Sequence, residues 1–405
     1  MNICLLNTSG HTGGAAIAAS RLTAALEKAG VHVSLLIRED TKVNFFRFVW
    51  ERFVIFICNK FSRKNLFQVS IANTGTDIRR HPLVSNADII HIHWINQGFL
   101  SLKDIGKLID TGKPILWTMH DLWAATGICH YPGECVKYID FCKECPMVAE
   151  HPLWDLAKSR YLKKQSLNLS KITFVGCSNW IAKMAKDSDL LRNARFLSIP
   201  NPINTSIFKP VNKTTAKQQL HLPTDKQIVL FAAAKLSETR KGLPFLIEAC
   251  SLLKERYSKE VEILLMGGHS EDFNRLFPFK VNSLGYITDM EKMVLSYSSA
   301  DVFVIPSLED NLPNTIMESM ACGTPCVGFN TGGIPEMIDH KANGYVAGYK
   351  DANDLAMGIT WVLENPDNLD ISQSCIDKVE KNYSEKVVTE KYIQLYEKLI
   401  QNGKH

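Results

Sequence analysis

No stretch of 18 apolar residues free of charge occurs anywhere in the 405-residue chain, so no membrane-spanning helix is expected. No basic segment precedes the short apolar run near the amino terminus, so a secretion signal is not expected and the cytoplasm is the expected compartment. Neither G-x-G-x-x-G nor the Gly-Lys-Ser/Thr end of a P-loop appears, which sets aside dinucleotide and P-loop chemistry. No Asp-x-Asp pair falls on a phosphate-binding loop, so no divalent cation is expected to be required for chemistry. Glycine (23) and proline (16) are too sparse for collagen or low complexity, and 45% hydrophobic against 22% charged residues excludes a disordered chain. Eleven cysteines, an odd number without a secretion signal, read as reduced thiols, apart from one group of four.

What is present points to two domains of similar size. The net charge of +4 divides unevenly: residues 1–200 carry 25 Lys/Arg against 16 Asp/Glu, and the remainder 21 against 26. Short apolar strands alternate with helical stretches, beginning with Asn2–Leu6, Val31–Leu36, Ile89–Trp94, Pro114–Thr118 and Ile172–Val175. Prolines at 200 and 202 then forbid a continuing helix or central strand. A second series follows at Ile228–Ala232, Val261–Met266, Val302–Pro306 and Pro325–Phe329, and the last 25 residues carry a helical apolar stripe. Alternation of this kind predicts crossover-connected parallel sheets in an α/β chain, with a ligand cleft at the carboxyl ends of the strands. The expected domains are 1–200, with a cysteine-rich insert at 127–150, and 201–380, followed by a carboxy-terminal helix in 381–405 able to pack back on the first.

Three segments suit anionic ligands. Gly13 and Gly14 stand at a strand-to-helix turn where backbone amides can approach an anion, or they simply make a tight turn. Lys235, Arg240 and Lys241 flank the connection after the first strand of the second series, either neutralising a diphosphate or lying on a solvated face. In Pro306–Pro325 a strand ends, an acidic loop follows, and a helix starts near Asn314 with Glu318 on it. A carboxylate there can accept two ribose hydroxyls, or it can simply favour the first helical turns. His91 and His93 alternate on one strand and either pack or orient the next loop.

The segment Ser307-Leu308-Glu309-Asp310-Asn311-Leu312-Pro313-Asn314-Thr315, followed by Glu318-Ser319-Met320-Ala321-Cys322-Gly323-Thr324-Pro325, resembles the E-x7-E region of GT-B glycosyltransferases of family GT4 (group 1), especially bacterial cell-surface and exopolysaccharide enzymes. The resemblance extends through Gly13-Gly14, Thr118-Met119-His120-Asp121, Ser178-Asn179-Trp180, Arg240-Lys241-Gly242-Leu243 and Thr331-Gly332-Gly333. It implies the GT-B fold, two Rossmann-like domains with parallel sheets facing across a cleft. It also implies transfer of a sugar from a UDP-, GDP- or ADP-sugar to a glycan or lipid-linked acceptor with retention, in polysaccharide biosynthesis. On that resemblance Gly13 and Gly14 approach the donor phosphate or acceptor, His120 the sugar and reacting carbon, and Lys235 and Lys241 the diphosphate. Glu318 takes the ribose, while Asn311, Leu312 and Pro313 line the pocket. Asp310 stands eight residues before Glu318, where the family's first Glu is expected, and Glu309 nine before, so either carboxylate is a candidate for the donor sugar and Asp310 is favoured by register. A nucleotide-sugar epimerase of the same fold and a noncatalytic sugar-binding or scaffold protein are the alternatives.

Two further features lie outside these motifs. Cys129, Cys135, Cys142 and Cys145 form C-x5-C-x6-C-x2-C, a donor set suited to structural zinc, with disulfides and free thiols as the other states; His130 and His151 are weaker ligands. Residues 42–64 hold six basic residues and one acidic residue among many aromatics. They read as an interfacial patch for peripheral contact with the inner face of the membrane, or as a helix packing its Phe and Trp against the core. No nucleic-acid-binding pattern accompanies the charge, so nucleic acid is not an expected partner.

Overall fold

The structure, a computed structural model, describes residues 1–149, 154–365 and 369–402. The chain forms two compact units, one comprising Met1–Pro200 with Thr389–His405 and the other Asn201–Val388.

In the first unit, β1 (Asn2–Asn7), β2 (His32–Ile37), β3 (Ile89–Ile92), β4 (Ile115–Met119), β5 (Ile172–Gly176) and β6 (Arg195–Ser198) make one sheet in the order β2-β1-β3-β4-β5-β6. All its pairings are parallel. Every residue of β3, β4 and β5 is buried, as expected for strands covered by helices on both faces. The chain passes from β1 outward to β2 and then returns to β1's other side for β3, so the sheet reverses direction between β1 and β3. Helix α1 (Gly14–Lys28) leaves the end of β1, and α2 (Lys42–Cys58) follows β2.

The second unit repeats the plan with β7 (Gln227–Lys235), β8 (Val261–Gly268), β9 (Lys280–Ser283), β10 (Val302–Ile305), β11 (Cys326–Phe329) and β12 (Gly344–Ala347), ordered β12-β11-β10-β7-β8-β9 and again parallel. Its reversal lies between β7 and β10. In doubly wound sheets the loops at the carboxyl side of such a reversal part and leave a crevice, which is where ligands bind.

Three strands escape the apolar-run reading: β6 (RFLS), β9 (KVNS) and β12 (GYVA). Each lies at a sheet edge and is only partly buried; β6 and β9 carry polar residues among apolar ones, and β12 is a four-residue strand that opens on Gly344. The expected strand at Ile89–Trp94 ends at Ile92 because His93 and Trp94 turn into the loop, where their amides donate to Leu6 O (2.9 Å) and Asn7 Oδ1 (2.9 Å). The carboxy-terminal helix, Glu385–Asn402, buries Tyr392 and Tyr396 against the first unit's sheet: Tyr396 OH pairs with His91 Nδ1 at 2.8 Å and Tyr392 OH with Thr118 Oγ1 at 3.0 Å. Among the described residues no helix is long and apolar enough to cross a membrane.

Candidate active site

In the second unit the loops leaving β7 and β10 meet at the sheet reversal. Asp310 is buried, and burial by itself would raise its pKa. The charges of Lys241 and Arg240, with hydrogen bonds from Lys241 and Ser307, override that and hold the carboxyl below its usual range. Lys241 Nζ donates to Asp310 Oδ2 at 2.6 Å, Ser307 Oγ donates to the same oxygen at 3.3 Å, and Arg240 NH1 stands 3.6 Å away. Arg240 also donates to the carbonyl of Glu309 at 2.6 Å, and Leu308 N returns a bond to Arg240 O at 2.8 Å. The two loops are thus joined side chain to side chain and backbone to backbone.

Helix Asn314–Ala321 starts directly after this loop, and its C-cap is followed by Gly323 at φ +77°, as the helix stop expected from sequence requires. Glu318 lies on its inner face, buried, with Oε2 accepting from Tyr297 OH at 2.8 Å. Asn311 and Leu312 in the acidic loop are also buried. Lys235 closes β7 at an irregularity in its pairing with β8, and its side chain is exposed. The structure therefore brings Lys241 to Asp310, buries Asn311 and Leu312 next to it in the chain and Glu318 on the helix that follows, and leaves Lys235 exposed. Between the two carboxylate candidates it turns Asp310 toward Lys241, while Glu309 meets Arg240 through its carbonyl.

In the first unit Gly14 opens α1, and Gly13 takes φ +93° with open space where a side chain would stand, so backbone is exposed at the end of β1. On the other side of the reversal, His93 Nδ1 and His120 Nε2 are 2.9 Å apart, and His120 Nδ1 is 3.6 Å from Cys177 Sγ. His91 lies tilted against His93 with ring centroids 4.4 Å apart and is held by Thr118 Oγ1 at 2.8 Å and by Tyr396. Burial lowers all three imidazoles, His120 to about 4, His91 to about 3 and His93 well below its ordinary value, so the cluster is neutral. Asp121, beside it, accepts from Trp94 Nε1 (2.9 Å), His130 Nδ1 (2.6 Å) and Trp123 N (2.9 Å). Burial raises its pKa, but the charge and hydrogen bond of His130 outweigh that and keep it ionised.

His93, Asn96, His120 and Asp121 line a small cavity with Trp94 and Trp123. Among the described residues His93 Nε2 and Asn96 Oδ1 are buried and have no hydrogen-bond partner. Each such orphaned buried group costs about 1–3 kcal/mol. His93 and Asn96 were not site candidates from sequence. The alternation His91-Ile92-His93 carried a hint of the first, and Tyr396 belonged to the apolar stripe of the last 25 residues, whereas Asn96 and Tyr297 had no local signal.

Cys129, Cys135, Cys142 and Cys145 line one pocket in the insert. The Cys129 thiol donates to Cys145, which raises the first and lowers the second, while burial pushes Cys142 up to about 11. All four are free thiols, and among the described residues no group of three or more His, Cys, Asp or Glu side chains is arranged to hold a metal ion. His130 is engaged with Asp121 and Ser70, and His151 lies outside the described residues.

Comparison with known proteins follows the same division of the chain. The family described as Glycosyltransferase Family 4 matches residues 12–207, and that described as Glycosyl transferases group 1 matches residues 226–365. Among curated proteins, the N,N'-diacetylbacillosaminyl-diphospho-undecaprenol alpha-1,3-N-acetylgalactosaminyltransferase of Campylobacter jejuni is 28% identical over 210 residues, 49% of this chain and 53% of that protein. The amylovoran biosynthesis glycosyltransferase AmsK of Erwinia amylovora is 27% identical over 203 residues, 45% and 47% of the two chains. The chain spans about half the length of these curated relatives. Among solved structures, sucrose-phosphate synthase from Thermosynechococcus elongatus superposes with a TM-score of 0.69 at 20% identity over 99% of both chains. Anabaena HepE, in complex with UDP and glucose, gives 0.65 at 16% identity over 98% of this chain and 100% of its own. At these identities the likeness establishes the fold, which is GT-B.

Proposed function

Because the chain belongs to the family 4, group 1 glycosyltransferases, we propose that it moves a sugar from a nucleotide-sugar donor to a glycan or lipid-linked acceptor in polysaccharide biosynthesis, with retention at the anomeric carbon. The observation that carries this reading is the meeting of Lys241 and Asp310 at the reversal between β7 and β10, with Glu318 on the helix that leaves the same loop. The names of the relatives agree with it: one acts on a diphospho-undecaprenol acceptor, and another serves amylovoran synthesis.

A nucleotide sugar brings its own leaving group, so the protein needs to stabilise departing charge, orient the acceptor and exclude water rather than supply a nucleophile. Lys241 is the cation for the diphosphate and exchanges part of its bond to Asp310 for phosphate oxygens. Asp310 and the backbone of Asn311 and Leu312 orient the donor sugar, and Glu318 accepts the ribose hydroxyls. The bond from the anomeric carbon to the diphosphate oxygen breaks as the bond to the acceptor oxygen forms, and the acceptor proton passes to the departing diphosphate. Neutral His120, held by His93, is the hydrogen-bonding group for a sugar hydroxyl; at physiological pH it neither carries charge nor competes with Lys241 for phosphate. Gly13 and Gly14 offer bare backbone to the donor phosphate or acceptor. Lys235, exposed at the rim, is a long-range electrostatic partner of the diphosphate.

We propose in addition that the four cysteines, which share one pocket but are not arranged to hold a metal ion as they stand, rearrange to bind a structural zinc ion, for which an all-thiol donor set is suited. The ion takes no part in transfer.

Thermal-shift measurements with UDP-, GDP- and ADP-sugars, followed by assay of sugar transfer to lipid-linked and glycan acceptors, test the principal reading. Stabilisation by one nucleotide class and acceptor-dependent loss of donor are expected. Release of a free epimer without acceptor, or full turnover in both Lys241→Ala and Glu318→Ala, overturns it.

A further inference from the structure

Helix α2 is built inside out. Its polar residues face the protein: Glu51 Oε1 accepts from the amides of Ile71 (2.8 Å) and Ala72 (3.0 Å), and Arg52 NH1 donates to the carbonyls of Leu66 (2.5 Å) and Val69 (3.0 Å). Asn44 donates to Glu39 O at 2.9 Å, and Arg47 binds Asn44 and Thr76. Ile55 is buried with them, but six other apolar residues face outward. Val43, Phe45, Phe46, Val49, Trp50 and Phe53 are 41–69% exposed, and at about 100° per residue they share one half of the helix circumference. Phe61 and Phe67, just beyond the helix, extend the exposed aromatic surface. A water-facing helix carries the opposite pattern, and a contiguous apolar face of this size marks a surface that meets another phase or partner.

The charges around it specify the partner. Exposed Lys42 stands at the amino end of the face, and exposed Lys60, Arg63 and Lys64 stand beyond its carboxyl end. Glu51, the only acid between 42 and 64, is fully buried; the exposed acids nearby, Glu39 and Asp40, precede the helix. An apolar aromatic strip with cations at both ends matches a layer with hydrocarbon beneath and anionic headgroups above. We propose that α2 is a membrane-docking helix that lies in the plane of an anionic bilayer, inserting Phe45, Phe46, Val49, Trp50 and Phe53 while Lys42, Lys60, Arg63 and Lys64 contact lipid phosphates. The inference rests on the reading that the acceptor is lipid-linked, and it assigns the surface that brings the enzyme to it. The alternative left open by sequence, Phe and Trp packed on the core, does not describe Phe45, Phe46, Trp50, Phe53 and Phe61, which are exposed. The patch expected from sequence also needs correction: Arg47 and Arg52 are committed inward and contribute structure rather than lipid contact.

The test uses the full chain, phosphatidylglycerol-containing vesicles and phosphatidylcholine vesicles. Wild-type protein is expected to float with the anionic vesicles and to lose at least tenfold of that binding at high salt. Brominated acyl chains are expected to quench its tryptophan emission, and Trp50→Phe to remove most of the quenching. Phe46→Ser/Trp50→Ser/Phe53→Ser and, separately, Lys60→Glu/Arg63→Glu/Lys64→Glu are each expected to reduce vesicle binding at least tenfold while keeping the wild-type thermal midpoint and its shift with UDP. Wild-type protein that does not bind anionic vesicles, or a serine variant that binds them as wild type does, overturns the proposal. So does a vesicle-independent dimer, seen by sedimentation, that the serine variant breaks. Vesicle binding that depends on these residues, accompanied by no sugar transfer to any lipid-linked acceptor, leaves the docking surface standing and overturns the acceptor reading alone.

Discussion

Gly332 lies so close to Asp310 that a Cβ added to it would stand 1.8 Å from the Asp310 carbonyl oxygen, and its φ of +59° belongs to the left-handed region. The next amide, Gly333 N, donates to that same oxygen at 3.0 Å. The Asp310 loop is therefore fixed from beneath by the turn after β11 as well as from the side by Lys241.

Gly332→Ala is expected to cost about 1–3 kcal/mol from its backbone conformation alone, and to displace Asp310 from Lys241. Thermal unfolding and affinity for nucleoside diphosphates check this together. Wild-type values in both would mean that the turn does not fix the loop.

The Lys241–Asp310 bond is expected to show coupling. Lys241→Met leaves a buried carboxylate with Arg240 at 3.6 Å as its nearest remaining cation, and a loss of about 1–3 kcal/mol follows. Asp310→Asn in the same chain should restore part of that stability. Turnover should stay roughly 10²–10³-fold low in both variants, because the cation for the leaving group is gone. A double-mutant cycle with additive stabilities would show that the two side chains do not interact.

Glu318 separates structure from binding. Glu318→Gln keeps an acceptor for Tyr297 and should retain the thermal midpoint while weakening nucleotide-sugar affinity about tenfold, which corresponds to roughly 1.4 kcal/mol. Glu318→Ala should lose affinity and also about 1–3 kcal/mol of stability through the orphaned tyrosine hydroxyl. Calorimetric titration with UDP and thermal unfolding read the two effects separately; equal affinity in all three proteins would remove Glu318 from the nucleotide site.

The histidine cluster sets the acid response. His91 and His120 titrate in the folded protein at about 3 and about 4, and His93 is also well below its ordinary value, in each case chiefly through burial. Unfolded, each takes up its proton near pH 6.5. Below that pH the unfolded state binds more protons than the folded one, so stability is full above about pH 6.5 and falls progressively toward pH 4, by at most about 1.4 kcal/mol per pH unit for each histidine. Denaturant titrations between pH 7.5 and 4.5 measure the slope. His91→Asn should make it shallower, whereas an unchanged slope would show that His91 charges without penalty.

Metal analysis of protein purified without added metal is expected to find about one zinc per chain, reduced by Cys142→Ser. A content near zero would assign the four thiols to another state.

Most of the architecture was legible because buried parallel strands read as continuous apolar runs. Ile3–Leu6, Ile89–Ile92 and Val302–Ile305 could be recognised without a neighbour in view. The edge strands β6, β9 and β12 were not legible, since half-exposed residues carry no such run and are recruited by pairing with a strand already present. In the second unit the ordered motifs named Lys241 and Asp310 from their place along the chain, and those two side chains meet, whereas Lys235, from the same sequence neighbourhood, is exposed. The partners that tune these groups were not legible. Tyr297 meets Glu318 from 21 positions away, and Tyr396 meets His91 from 305 away.

Helix α2 shows where that limit falls. Sequence by itself determined that residues 42–64 are aromatic and basic, and it left a helix as one of two readings, because composition is a local matter. It could not determine which half of the helix is wet, since periodicity separates the aromatic half from the polar half without saying which of them turns inward. The tertiary structure decided it: the amides of Ile71 and Ala72 and the carbonyls of Leu66 and Val69 lie beneath the helix, and buried backbone groups must be hydrogen-bonded. Glu51 and Arg52 satisfy them, and doing so turns Phe45, Phe46, Val49, Trp50 and Phe53 outward.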